Sequence, residues 1–145
     1  MLLLYSCNNN VLYTDSVTIP DKQWLLDFNP GFSADITDTV SNCNILFTIR
    51  SSSSYPFRNI FLFVTTTSPN GASITDTLEY LLADEKGNWF GKGLGDIHEL
   101  TVSYKKNIYF PTKGTYYFKV QHGMRTEDLK GVFDFGMRIV KTNNN

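Results

Sequence analysis

The sequence predicts an all-β protein: an antiparallel two-sheet β-sandwich of jelly-roll type, with about eight strands. Three observations predict it. Apolar and polar residues alternate with period two through most of the chain. Eleven Phe, eight Tyr and many β-branched residues favour extended backbone over helix. Turn signals such as Pro69-Asn70-Gly71 and Lys86-Gly87-Asn88 separate the alternating runs, and no helical stripe exceeds about two turns.

Each run can be justified in order. Tyr13, Val17 and Ile19 mark a strand that ends at Pro20. Ala34, Ile36 and Val40 mark a second. Cys43, Ile45, Phe47 and Ile49 share one face of a third, so Cys43 is expected to be a small apolar core residue. Ile60 through Val64 is apolar on both faces and reads as a central strand. Ile74, Leu78, Tyr80 and Leu82 alternate with Thr75, Thr77 and Glu79. Leu100, Val102 and Tyr104, then Tyr116, Phe118 and Val120, give two more strands, and Phe133, Phe135, Met137 and Ile139 close the series. The expected core is Ile45, Phe47, Ile60, Leu62, Val64, Leu78, Tyr80, Phe118, Val120, Phe133, Phe135 and Ile139. Ser51–Ser54 reads as a solvated loop tip.

The start of the chain is different in kind. Leu2-Leu3-Leu4-Tyr5-Ser6-Cys7 precedes Asn8-Asn9-Asn10. Leu three positions before a Cys and a small Ser just before it resemble the bacterial lipobox, in which the thiol is diacylated and cleavage leaves the Cys as the new N-terminus. Cys7 is therefore the expected lipidation site. Six residues without Lys or Arg are too few for a working leader, so its true start is expected upstream. The expected organisation is a leader and lipobox remnant at 1–7, a polar tether at 8–10 and one sandwich domain at 11–142. Two or three acyl chains would hold the protein stably on a membrane.

Catalytic signatures are weak. The histidines are His98 and His122, and nothing supplies the three or four ligands of a zinc site, so no metal, cofactor or catalytic residue is assigned. His122 is in phase with Tyr116, Phe118 and Val120 and should point inward as a hydrogen-bonded structural histidine. Net charge is −1 with no basic cluster, which excludes nucleic acid as the expected partner. Asp76 lies on an apolar face beside Leu78 and is expected to cap a turn. Trp24, before Leu25-Leu26, reads as core. Two glycine-bearing segments stand out as a structural or partner-docking patch: Trp89, Gly91, Gly93, Gly95 and Asp96, and His122, Met124 and Arg125. Arg125 adds a forked donor, suited to a carboxylate or to tying down its own loop. Asp15-Ser16-Val17, Asp38-Thr39-Val40 and Asp76-Thr77-Leu78 resemble the Asp-Ser/Thr-apolar acceptor for O-glycosylation in Bacteroidetes, which makes Ser16, Thr39 and Thr77 candidates. Strand phase is expected to turn all three away from the core.

The segments Tyr55-Pro56-Phe57-Arg58-Asn59, Leu82-Ala83-Asp84 with Gly87-Asn88-Trp89, Phe110-Pro111, Gly114-Thr115-Tyr116, His122-Gly123-Met124-Arg125 and Gly131 through Arg138 have a distinctive order and spacing. Together they resemble the gliding-motility lipoprotein GldH family of Bacteroidetes, over nearly the whole chain from Cys7 to Lys141. The resemblance implies a lipid-anchored, non-enzymatic envelope protein associated with gliding or secretion machinery, with other envelope proteins as partners. No acidic residue follows Cys7 closely, which points to the periplasmic face of the outer membrane. The alternative is a carbohydrate-binding envelope lipoprotein, which would show exposed coplanar aromatics in a groove. A hydrolase would need a pocket with two facing carboxylates.

Overall fold

A computed structural model describes residues 10–142. Cys7 lies outside the described residues. Among the described residues, eleven strands form three antiparallel sheets. The five-stranded sheet has the order β1 (Val11–Thr18), β11 (Val132–Lys141), β4 (Cys43–Ser52), β8 (Ile97–Ile108), β7 (Lys92–Leu94). The four-stranded sheet has the order β3 (Gly31–Ile36), β9 (Gly114–His122), β5 (Asn59–Thr67), β6 (Ser73–Leu81). A two-stranded sheet joins β2 (Gln23–Leu25) to β10 (Asp128–Lys130). Among the described residues there is no α-helix, only a 3-10 turn at Pro20–Lys22, and hence no helix able to cross a membrane.

The two larger sheets bury their inner faces against each other. Phe32 on β3 meets Phe135 on β11 at a ring separation of 6.2 Å, and Phe135 also packs on Phe47 at 4.9 Å. Nine of the twelve expected core residues are buried: Ile45, Phe47, Ile60, Leu62, Val64, Phe118, Val120, Phe135 and Ile139. Cys43 is buried in phase with Ile45, Phe47 and Ile49 and forms no disulfide. Trp24 is fully buried and donates its indole N–H to the Phe28 carbonyl at 2.9 Å, as a buried Trp must find an acceptor.

Five expectations need correction. Eleven strands replace eight, because β2, β7 and β10 have three residues each, too few for alternation to register. Phe133 is only half-buried: β11 carries a bulge between Val132 and Asp134, which turns Val132 inward and leaves Phe133 under the Lys22 ammonium at 5.1 Å. Leu78 and Tyr80 are half-buried because β6 is an edge strand. Ser51 and Ser52 are buried at the end of β4, not in a loop tip. Val40 lies outside β3 and is 87% exposed, so Thr39 occupies a turn and is half-buried, whereas Ser16 and Thr77 are exposed on strands.

Candidate functional site

The two glycine-bearing segments converge on one end of the sandwich. Trp89 makes an isolated bridge with Ala83 and stacks flat on His98, with ring centroids 4.7 Å apart. It meets Tyr55 edge-on at 6.4 Å, and Tyr55 in turn meets Phe57 at 5.9 Å. Phe57 then joins Asn59, Phe61, Gly123, Met124 and Arg125 around a groove of about 580 Å³. A continuous aromatic path thus links the segment at 89–96 to the one at 122–125.

Each predicted residue has a distinct place there. A Cβ on Gly91 would lie 2.4 Å from the Glu99 carbonyl oxygen, so glycine permits close backbone approach to β8. Gly93 lies in β7 opposite His98, and Gly95 begins the two-residue turn into β8. The Asp96 carboxylate accepts from the Ser52 hydroxyl at 2.8 Å and the Ser53 amide at 3.0 Å. Those bonds, Ser52 first, hold it below the usual carboxylate range. The Ser53 hydroxyl lies 2.9 Å from His98 Nε2, yet the Asp96 contacts run to the serines and not to the imidazole. The cluster therefore lacks the carboxylate–imidazole link that orients a base in a triad; it ties the 52–54 turn to the β7–β8 hairpin.

His122 does not reach the groove. It is fully buried beneath Trp24, whose ring meets it edge-on at 5.7 Å. Its Nδ1 accepts the Met124 amide at 3.2 Å, which places the proton of the neutral ring on Nε2. Nε2 has no partner of good hydrogen-bond geometry. Burial pushes the imidazole pKa down, against weaker opposing effects of the Trp24 carbonyl and the Asp128 carboxylate. His122 thus fixes the loop from beneath, while Met124 and Arg125 form the surface. The Met124 sulfur accepts the Phe61 amide at 3.3 Å. Arg125 is exposed and makes no ion pair or hydrogen bond among the described residues, so it does not tie down its own loop.

Sequence reading missed Phe57, Phe61 and Phe63. All three are exposed on the four-stranded sheet or beside it. Their signal lay in the odd phase of β5, since Phe61 and Phe63 face opposite to Ile60, Leu62 and Val64. Asp76, expected to cap a turn at a strand start, instead lies within β6 and accepts from the Tyr104 hydroxyl at 2.6 Å, with Lys105 at 3.2 Å.

A second concavity, of about 590 Å³, lies on the outer face of the five-stranded sheet. Ser16, Gly136, Thr48 and Thr101 form one cross-strand row, and Asp134, Arg50 and Glu99 another, with Arg50 on Asp134 at 2.9 Å. No aromatic residue lines it, which counts against a stacked sugar there. No group of three or more His, Cys, Asp or Glu side chains among the described residues could hold a metal.

Comparison with known proteins matches residues 11–139 to the family described as GldH lipoprotein. The "Gliding motility lipoprotein GldH homolog" of Christiangramia forsetii is 32% identical over 151 residues, covering 99% of this chain and 92% of that protein. The "Gliding motility lipoprotein GldH" of Flavobacterium johnsoniae is 31% identical over 145 residues, covering 95% and 89%. Among solved structures, that of infectious bursal disease virus Gx strain matches 91% of this chain and 32% of its own, at a TM-score of 0.33 and 11% identity, too loosely to inform the fold or the site. The family match and the two near-full-length relatives agree: this chain belongs to the GldH lipoprotein family.

Proposed function

We propose that the protein is a lipid-anchored, non-enzymatic component of the gliding or secretion apparatus, held by acylated Cys7 on the periplasmic face of the outer membrane. It docks another envelope protein through the groove at Phe57, Phe61, Met124 and Arg125. The names of its relatives support the setting. The observation that carries the docking reading is Arg125, an exposed guanidinium without a partner among the described residues, beside exposed aromatic rings. An apolar anchor flanked by an unused forked donor is the composition of a protein–protein hot spot. A sugar would need several convergent polar groups beside the rings. Asn59 is one of two there, and its amide is engaged by Glu79 at 2.8 Å. We also read the strand order as a jelly roll over residues 11–142. Without the three short strands it runs first, last, third, sixth in one sheet and second, seventh, fourth, fifth in the other, as two interlocked Greek keys do.

Two experiments test this. A fatty-acid analogue should label the full-length precursor and not its Cys7→Ala variant; label persisting in the variant refutes the anchor. Arg125→Ala and Phe61→Ser should leave the melting temperature nearly unchanged, yet abolish crosslinks to envelope proteins and impair spreading of a gliding host. Intact crosslinks and motility in both variants would refute the docking site.

A further inference from the structure

The end of the sandwich opposite that groove carries a second group of exposed apolar side chains, and the chain itself indicates what covers it. Cys7 precedes Asn10 by three residues, a span of roughly 10 Å at full extension. The Asn10 carbonyl accepts the Lys141 amide at 2.7 Å, so the tether leaves from the end where β11 finishes and β4 begins. Lys141 also reaches Asp38 at 3.4 Å, which brings the 37–42 turn to the same place. Asp38 accepts the Val40 and Ser41 amides at 3.0 and 2.9 Å and fixes that turn, with Val40 87% exposed at its tip. Ile74, at the start of β6, is 63% exposed, and Tyr109, just beyond β8, is 58% exposed. These two flank an apolar cleft of about 260 Å³ between the sheets.

Two lysines at this end are available to an anionic surface. Lys105 is paired with Asp76 and Lys141 with Asp38. Asp35 accepts from the Thr115 hydroxyl. Lys106 and Lys113 are exposed and form no ion pair among the described residues. The other end also exposes apolar residues, Leu94 and Phe90, among side chains of both signs, including Asp84, Glu85, Asp96, Lys86, Lys92 and Arg125, and it is the end away from Asn10.

We infer that the end bearing Val40, Ile74 and Tyr109 is a membrane-docking face that seats in the headgroup region of an anionic phospholipid bilayer. Lys106 and Lys113 meet lipid phosphates, and the Tyr109 ring sits at the interface with its hydroxyl outward. The inference rests on an anchor at Cys7, and its test supplies that anchor independently of natural acylation. The Cys7 thiol of the full chain is coupled to maleimide phosphatidylethanolamine in vesicles of phosphatidylethanolamine and phosphatidylglycerol. Cys43 is fully buried and does not compete. Lysine acetylation rates are then mapped by mass spectrometry against the same protein capped with N-ethylmaleimide in solution. Lys106 and Lys113 should react about fivefold more slowly on vesicles, with Lys86 and Lys92 unchanged. A Val40→Ser, Ile74→Ser, Tyr109→Ser triple variant, altered only at exposed positions, should fold normally and regain solution rates. Uniform rates, protection at Lys86 and Lys92, or protection that persists in the triple variant would overturn the inference. Absence of natural acylation would refute the anchor alone, because the coupled vesicles still report the face.

Discussion

Acidification should destabilise this protein well above the range in which carboxylates titrate, through His122. The imidazole is fully buried with its pKa pushed down from an ordinary value of 6.5, chiefly by burial. The unfolded chain therefore takes up a proton before the folded one does. A depressed histidine pKa contributes stability that is fully present above the unfolded value and is lost as pH falls below it. The loss has a ceiling of about 1.4 kcal/mol per pH unit. For a ring that stays neutral throughout, it amounts to at most about 2 kcal/mol between pH 7 and pH 5. The groups that face the ring are the Trp24 indole and carbonyl, the Met124 amide and the Asp128 carboxylate. Of these only Asp128 carries charge, and it favours protonation, so Asp128→Asn should steepen the loss. The assay is urea unfolding at half-unit pH steps, with His122→Phe as the reference. That variant keeps an edge-on ring against Trp24, removes the acceptor of the Met124 amide at a cost of about 1–3 kcal/mol, and should be flat where the wild type slopes. Parallel profiles for the two proteins between pH 7 and 5 would refute the reasoning.

Further outcomes follow from single contacts. Phe118→Ala, in a fully packed core, should cost about 3–5 kcal/mol in urea unfolding. Gly131→Ala should cost about 1–3 kcal/mol from backbone strain at φ +98, and more from a Cβ that would lie 2.8 Å from the Tyr55 Cα; calorimetry reads both together. Tyr104→Phe should cost about 1.5 kcal/mol by removing the hydroxyl bond that most lowers the Asp76 pKa. Asp76 contributes stability above its ordinary value of 3.8 and loses it as pH falls through the lowered folded value, so Tyr104→Phe should show a shallower acid loss.

What the sequence disclosed was governed by repeat length. Long strands such as β4 and β9 alternate through four or more pairs of residues, and their inward sets are buried as expected, down to Cys43 and His122. Strands of three residues carry no period, so β2, β7 and β10 stayed invisible although β2 places Trp24 over His122. A bulge breaks the count silently: beyond it the alternation of β11 holds, but Phe133 falls out of phase. An all-apolar run is ambiguous in another way. β5 is central in its sheet, yet centrality within a sheet does not cover its outer face, and Phe61 and Phe63 remain exposed. Arg125 and Met124 were legible as a glycine-flanked pair. Their neighbour Phe57 was not, because it reaches the groove through Tyr55, far from them in sequence.

The two outer faces differ in what they can tolerate from water. On the five-stranded sheet, cross-strand neighbours satisfy one another: Arg50 lies between Asp134 and Glu99, and Thr48 bonds Thr101 at 3.2 Å. On the four-stranded sheet the same logic holds near the end of β5, where Thr65 pairs with Thr75 and Thr67 with Ser73. It fails further along, where Phe63 stands opposite Thr77 and Phe61 opposite Glu79. Phe57, Phe61 and Phe63 thus expose three aromatic rings along one stretch of this sheet and its flanking turn, close to Arg125, and a cluster of that kind supports the proposed docking site. Ten-residue β4 runs from the end that bears Asn10 to the Ser52–Ser54 turn beside Tyr55, a length of roughly 33 Å. If a partner seats at Phe61 as proposed, it stands six residues of β5 from Thr67, roughly 20 Å along the strand, and that distance is fixed by the hydrogen-bonded ladder of the sheet.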